Sequence, residues 1–152
     1  MNNSNEVANA SDMSVSVVTQ YVKDVSFENP GAPDTFIGQP IEPEIEVGCD
    51  INVKPRDGNT YEIDLQLTGT AKQKDMPLFV VEVTYGGLFK LGGVPPEQVE
   101  LVCLVECPRL LFPFARQILA DMTRSGGFPP LLIDPIDFAS LYRKHQESKD
   151  QN

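Results

Sequence analysis

Residues 44–68 read EIEVGCDINVKPRDGNTYEIDLQLT. On one side of the turn, Ile45, Val47, Cys49, Ile51 and Val53 alternate with Glu44, Glu46, Asp50, Asn52 and Lys54. On the other, Tyr61, Ile63, Leu65 and Leu67 alternate with Glu62, Asp64, Gln66 and Thr68. A period of two places one set of side chains on each face of a strand, so both segments are half-buried strands. Between them lies Pro55-Arg-Asp-Gly-Asn59, strong turn chemistry. The stretch predicts an antiparallel hairpin with one apolar and one acidic face.

The same pattern extends to both sides. Phe79, Val81, Val83 and Tyr85 alternate with Val80, Glu82 and Thr84, after a second turn candidate at Lys72–Pro77. Upstream, Val15, Val17, Tyr21, Val25 and Phe27 alternate with Ser16, Gln20, Asp24, Ser26 and Glu28. Val18 and Val22 stand on the polar parity of that strand. The link from Asn29 to Pro43 holds four prolines and two glycines and is too long for a hairpin, so it reads as a crossover. Gly86-Gly87 and Gly92-Gly93 mark a bulge or a close backbone approach; no Gly-Lys-Ser/Thr follows to make a phosphate loop.

Helical spacing begins only after the strands. Pro95-Pro96-Glu97 is a helix start that predicts a helix to about Glu106, ahead of Pro108. Leu111, Phe114, Ala115, Ile118, Leu119 and Met122 form a second stripe, ended by Gly126-Gly127. Asp137 is an N-cap for a last helix carrying Phe138, Leu141 and Tyr142. Strands first and helices second indicate an α+β fold: a four-stranded antiparallel sheet with helices packed on one face. Residues 1–12 are expected to be a disordered tail and 148–152 a flexible one, around a single domain at 13–147. The surplus apolar residues Val18, Val22, Leu110 and Phe112 predict an oligomer.

The link GGFPPLLIDPIDF (126–138) is rigid and apolar where a polar loop is expected. It reads as a strap closing the helical layer, or as part of a surface that handles apolar ligands.

Composition narrows the function. The 152 residues carry a formal charge of −10, which argues against nucleic acid and anionic membrane and favours a basic partner. The start MNNSNEVANASDMS lacks the basic and apolar regions of a signal peptide, and no apolar run has the length of a membrane span. Three cysteines, Cys49, Cys103 and Cys107, are an odd number that reads as reduced and cytosolic. Cys103 and Cys107 with the single His145 supply three metal ligands and no matching second pair, so they read as buried apolar residues and a solvated histidine. No catalytic constellation is present. The acids Asp24, Glu28, Glu44, Glu46, Asp50, Glu62, Asp64 and Glu82 share the non-core parity, either as a solvated face or as a dock for a basic module.

Three segments carry a resemblance: YVKDVSFENPGAP (21–33), FVVEVTYGGLFKLGG (79–93) and CPRLLFPFARQILADMTRSGGFPPLLIDPIDFASLY (107–142). The run LFPFAR followed by GGFPPLLIDPIDF resembles the hallmark of the SecB protein-export chaperones, and the likeness covers residues 13 to 145. The resemblance implies an ATP-independent holdase of the bacterial cytoplasm, a homotetramer built as a dimer of dimers. It would keep unfolded precursors translocation-competent and pass them to the SecA motor, with no cofactor, metal or enzymatic activity. It implies a SecA-binding site at Asp24, Glu28, Val80 and Glu82, facing a basic, zinc-carrying C-terminal segment whose zinc belongs to SecA. It implies a client groove to which this chain offers Phe36, Ile41, Phe79, Val81, Val83 and Tyr85, bordered by Phe138 and Leu141. A dedicated adaptor for one partner, such as an antitoxin, is the alternative within the same resemblance. The crossover here lacks the Trp that some members carry.

Overall fold

The computed structural model describes residues 12–150. The tail predicted at 1–12 lies outside the described residues except for Asp12, as do positions 151–152 of the C-terminal tail. Within the described residues the strands are β1 (Ser14–Glu28), β2 (Glu44–Arg56), β3 (Thr60–Gln73) and β4 (Met76–Gly92). They form one antiparallel sheet in the order β1-β4-β3-β2. The two hairpins use the expected turns. Gly58 and Asn59 hold positive φ between β2 and β3, and Lys74 and Asp75 hold it in the two-residue turn that pairs Gln73 with Met76. The crossover at 29–43 joins the two edge strands. Gln73 ties it to the β3 end, donating from Nε2 to Pro40 O at 3.2 Å and accepting from Glu42 N–H at 2.9 Å.

The apolar parity of β3 and β4 is the floor of the core: Ile63, Leu65, Leu67, Phe79, Val81, Val83 and Phe89 are buried. Helix α2 (Cys107–Ser125) lies on that floor through Leu111, Phe112, Ala115 and Leu119. Its approach is close because Gly87 has no side chain. A Cβ there would sit 2.6 Å from Phe89 Cε2 and 2.8 Å from Leu111 Cδ2.

Two predicted helices are one continuous helical run. A 3₁₀ turn at Pro96–Gln98 leads into α1 (Val99–Leu101), a π segment at Val102–Glu106 and then α2. Pro108 has no N–H, and in a plain α-helix its ring would press on the carbonyl of Leu104. The wider π turn just before it, closed by Cys107 N–H to Val102 O, makes the room that lets the helix continue. Pro113 sits inside α2. Phe112, expected to be surplus, is buried edge-on against Phe138. Phe114, expected in the core stripe, is 49% exposed and stacks on Tyr85.

Strand β1 departs most from simple alternation. Its pairing with β4 slips between Val17 and Thr19 and again between Val22 and Asp24. Each extra residue flips the following side chains to the other face. Tyr21 therefore faces outward opposite Gly86, not toward the core, and Val22 stands opposite Tyr85 on the helix-side face, not the polar one. The second slip restores the parity, so Val25 and Phe27 return to the core.

The strap after α2 is largely core. Phe128 and Ile133 are buried, and Leu131 packs so tightly on Gly69 of β3 that a Cβ there would meet Leu131 Cδ2 at 2.7 Å. Thr123, buried at the helix end, accepts from Leu131 N–H at 2.9 Å through Oγ1. Gly127 takes φ +94, and a Cβ on it would strike the ring of Phe36. Phe27, Phe79, Phe128 and Phe36 form a chain of ring contacts with centroids 4.9–5.9 Å apart. Helix α3 (Phe138–Asp150) starts at the expected cap: Asp137 accepts from Ser140 Oγ–H at 2.8 Å and from Ser140 N–H at 3.1 Å, which hold its carboxyl below the usual range. The helix continues through Asp150, past the Ser148 at which the sequence predicts a flexible tail.

Gly87→Ala forces a methyl group into the Phe89–Leu111 contact. It should cost about 1–3 kcal/mol of stability in urea unfolding; a stability equal to the parent would refute the close-packing role of this glycine.

Candidate functional site

The outer face of the sheet is a grid set by register. Across β1, β4, β3 and β2, one row runs Asp24–Thr84–Gln66–Asp50 and the next Ser26–Glu82–Thr68–Gly48; beyond it lie Glu28, Val80, Thr70 and Glu46. Asp24, Glu28, Val80 and Glu82, which the sequence places on one parity, are thus brought together on two adjacent strands. Rows are about 7 Å apart and strands about 4.8 Å, so the four fit under one short segment of a partner. Asp24 and Glu28 are exposed. Glu82 is half-buried and is oriented by Gln66, whose Nε2 donates to its Oε1. Val80, half-buried among these acids, supplies the one apolar contact of the patch.

Beside this patch lies a charged cluster that alternation alone does not reveal. Gly86 leaves a gap on β4 that Tyr21 and Lys23 of β1 cross. Tyr21 donates its hydroxyl proton to Glu62 Oε2, and Lys23 Nζ reaches Asp64 Oδ2 at 2.9 Å and Glu62 Oε1 at 3.2 Å. Lys54 of β2 stands 3.8 Å from Asp64 Oδ2. Burial and the bond to Glu62 push the Tyr21 hydroxyl up to about 12, and the same bond holds the Glu62 carboxyl below its usual range. Hydrogen bonds to Asp64 and Glu62 raise the Lys23 ammonium above its ordinary value. Lys23 is the extra residue of the second β1 slip, so this cluster follows from a bulge, for which the sequence carries no period-two signal.

The opposite layer is apolar and only partly covered. Of the residues offered for a groove, Phe36 (42% exposed), Leu141 (40%) and half-buried Ile41 remain accessible. Phe79, Val81, Val83, Tyr85 and Phe138 do not. All five are buried in the core, because α2 and the strap cover the inner parity of β4, and Phe138 is seated under Phe112. Sequence reasoning passed over Ile37, Ile45, Val47, Met76 and Leu132, each large, apolar and exposed. Ile45 and Val47 lie on the inner parity of β2, opposite Ala71 and Gly69. Their signal was available: residues opposite Ala and Gly have little to pack against.

A trough between β2 and α3 is lined by Cys49, Ile51, Leu104, Leu141, Tyr142 and His145, with a volume of about 290 Å³. His145 is exposed on α3. Burial pushes the thiols of Cys49 and Cys103 up to about 11 and that of Cys107 up to about 12, so all three stand as neutral thiols at pH 7. Among the described residues no group of three or more His, Cys, Asp or Glu is placed to hold a metal ion. No helix among them is long and apolar enough to cross a membrane.

Known proteins are similar to this chain in sequence and in fold. The SecB family model, described as preprotein translocase subunit SecB, matches residues 8–149. The protein-export protein SecB of Hyphomonas neptunium is 52% identical over 136 residues, covering 88% of this chain and 80% of that protein. That of Parvibaculum lavamentivorans is 50% identical over 135 residues, covering 88% and 80%. That of Xanthobacter autotrophicus is 45% identical over 138 residues, covering 91% and 88%. A solved SecB-like chaperone of Mycobacterium tuberculosis, in complex with a peptide from an antitoxin, shares the fold. Its TM-score is 0.61 at 12% identity, covering 80% of this chain and 90% of that one. With a sheet, helical layer and strap of this form, and half of its residues shared with export proteins along nearly its whole length, the chain belongs to the SecB family of protein-export chaperones.

Proposed function

We propose that this protein-export chaperone holds newly made precursors unfolded against its uncovered apolar layer and hands them to the SecA motor through the acidic outer face of its sheet. The observation that carries the reading is the opposition of two surfaces on one sheet. Phe36, Ile37, Ile45, Val47, Leu132 and Leu141 leave apolar side chains in water on the helix side. Asp24, Glu28 and Glu82 surround Val80 on the other. Each apolar client side chain that such a surface removes from water contributes about 1.5–3 kcal/mol without regard to sequence. Several weak contacts along one extended client add further through effective concentration. Holding of this kind needs no ATP, cofactor or bond-making step, and it suits the bacterial cytoplasm, where precursors are made.

The working assembly is a homotetramer, a dimer of dimers. Val17, Val18 and Val22 on β1 and Leu110 and Phe114 on α2 are 44–57% exposed in one protomer. Apolar residues so exposed on an edge strand and its neighbouring helix fit contacts with further copies. The SecA contact fits a basic C-terminal segment whose zinc is its own.

A dedicated adaptor for one partner is the second reading. The antitoxin peptide held by the Mycobacterium tuberculosis neighbour favours it, but at 12% identity that likeness extends to fold alone.

The first experiment is aggregation suppression by light scattering, with several unrelated unfolded precursors and no nucleotide. Suppression at near-stoichiometric tetramer is expected; failure with all of them would make a single-partner adaptor the better description. Glu82→Lys reverses the central charge of the acidic patch and breaks the Gln66 bond, and should weaken the SecA C-terminal segment by about tenfold or more in calorimetric titration. An unchanged affinity at moderate salt would remove the outer face as the dock. Sedimentation should give a mass near four chains, lowered by Val22→Asp; a parent chain that sediments as a monomer would refute the assembly.

A further inference from the structure

Between its two slips, strand β1 is out of phase with both of its own ends. Val17 stands opposite Phe89 and Asp24 opposite Thr84, but Thr19 to Val22 are displaced by one position, with Val18 and Lys23 left out of the ladder. Two bulges disrupt the ladder twice. Without the second bulge, the segment would rejoin the register of Asp24–Glu28. Gln20 would then face Leu88 and Val22 would face Gly86, both on the outer side, and Tyr21 would turn inward opposite Gly87. Some interaction has to favour the displaced segment over that simpler pairing.

The outer face supplies it. In the displaced register Tyr21 stands opposite Gly86. Three groups converge on the space that this glycine leaves: Tyr21 Cε2, Asp64 Oδ1 and Lys23 Cδ lie 2.7, 3.0 and 3.2 Å from where a Cβ would stand. There Tyr21 donates to Glu62, and Lys23 bridges Asp64 and Glu62. Hydrogen bonds to ionised groups are the strong class. Asp64 is buried, and without Lys23 its carboxylate keeps only the longer contact to Lys54 at 3.8 Å. The simpler register turns Tyr21 to the other face and breaks its bond to Glu62.

The consequence is on the opposite face. Displacement puts Val22 opposite Tyr85, whose ring stacks on Phe114. Val22 and Phe114 are 48% and 49% exposed and belong to the apolar surface read above as the contact between copies. In the simpler register Val22 leaves that surface. We propose that Tyr21, Lys23, Glu62 and Asp64 act as a register lock on β1, so that a polar cluster on the outer face decides which β1 side chain the protein presents to its copies on the inner face. The four are positioning residues for assembly. The lock itself stands on the fold alone, and its link to assembly rests on the tetramer reading above.

The test combines disulfide trapping with sedimentation on the full-length protein. Residues directly opposite in an antiparallel pair have Cα atoms about 4.5–5.5 Å apart, within reach of a disulfide, while the next residue along faces the other side of the sheet. Thr19→Cys/Leu88→Cys should therefore be trapped by diamide in the parent, and Gln20→Cys/Leu88→Cys should not. Adding Tyr21→Phe and Lys23→Met should lower trapping of the first pair by about tenfold or more and raise that of the second. The same two changes, made without the cysteines, should bring the sedimenting mass below four chains. Undiminished trapping of the first pair overturns the lock, whatever the mass, and so does its loss without a gain in the second, because the strand then frays and does not shift. A shifted register with an unchanged mass overturns the link to assembly. If the parent itself sediments as a monomer, the tetramer reading fails separately and takes that link with it, while the trapping still decides the lock. Should circular dichroism show the doubly changed protein to be unfolded, Tyr21→Phe alone, which removes one donor and no charge, carries the comparison. A shift in the trapped pair supports the lock, and trapping equal to the parent overturns it.

Discussion

An α-helix with its side chains is about 10–12 Å across, whereas four strands about 4.8 Å apart make a wider floor. Helix α2 lies over β3 and β4, the two central strands, and together with the strap buries Ile63, Leu65 and Leu67 of the one and Phe79, Val81, Val83 and Phe89 of the other. The two edge strands are left short of cover. On β1 the consequence is exposed Val17 and Val22; on β2 it is exposed Ile45 and Val47. This mismatch in width links the fold to the job. The same shortage of cover leaves apolar side chains in water at both edges of the sheet, one of them beside the crossover.

Glycine tunes how closely the layers approach. Gly87 admits Leu111 from the helix, and Gly69 admits Leu131 from the strap, so α2 and the strap both sit directly on the sheet backbone. On the opposite face Gly86 admits Tyr21 and Lys23 across β4 toward Glu62 and Asp64. Three missing side chains thereby anchor the helical layer, the apolar strap and the charged cluster. The strap is rigid and apolar because its inner side chains are core: Phe128 and Ile133 are buried while Pro129, Pro130 and Pro135 face solvent. Proline holds such a ribbon in place with less conformational entropy to lose on folding.

The two faces of the sheet divide the chemistry. Burial of apolar surface is non-directional and tolerates varied clients, which is what a holdase requires. The outer face is a register-defined array of acids, and such an array discriminates by position and charge. The two surfaces lie on opposite sides of the sheet and share no side chains.

By itself the sequence determined the four strands, their turns, the acidic parity that carries Asp24, Glu28 and Glu82, and the cap at Asp137. Each of these depends on local backbone chemistry or on a short period, and both are legible in a string of residues. Only the tertiary structure decided the rest. The slips in β1 turn Tyr21 outward and Val22 inward, because one extra residue reverses a face without altering composition. The π segment carries one helix through Pro108, where propensity alone ends it. Phe79, Val81, Val83, Tyr85 and Phe138 fall under α2, the strap and α3, whose coverage of the sheet no alternation encodes. Asp64 shares its parity with exposed acids yet is buried, because the side chains of Tyr21 and Lys23, two strands away on β1, reach across Gly86 of β4 to cover it. Parity assigns a face; what lies over that face is settled only when distant segments meet.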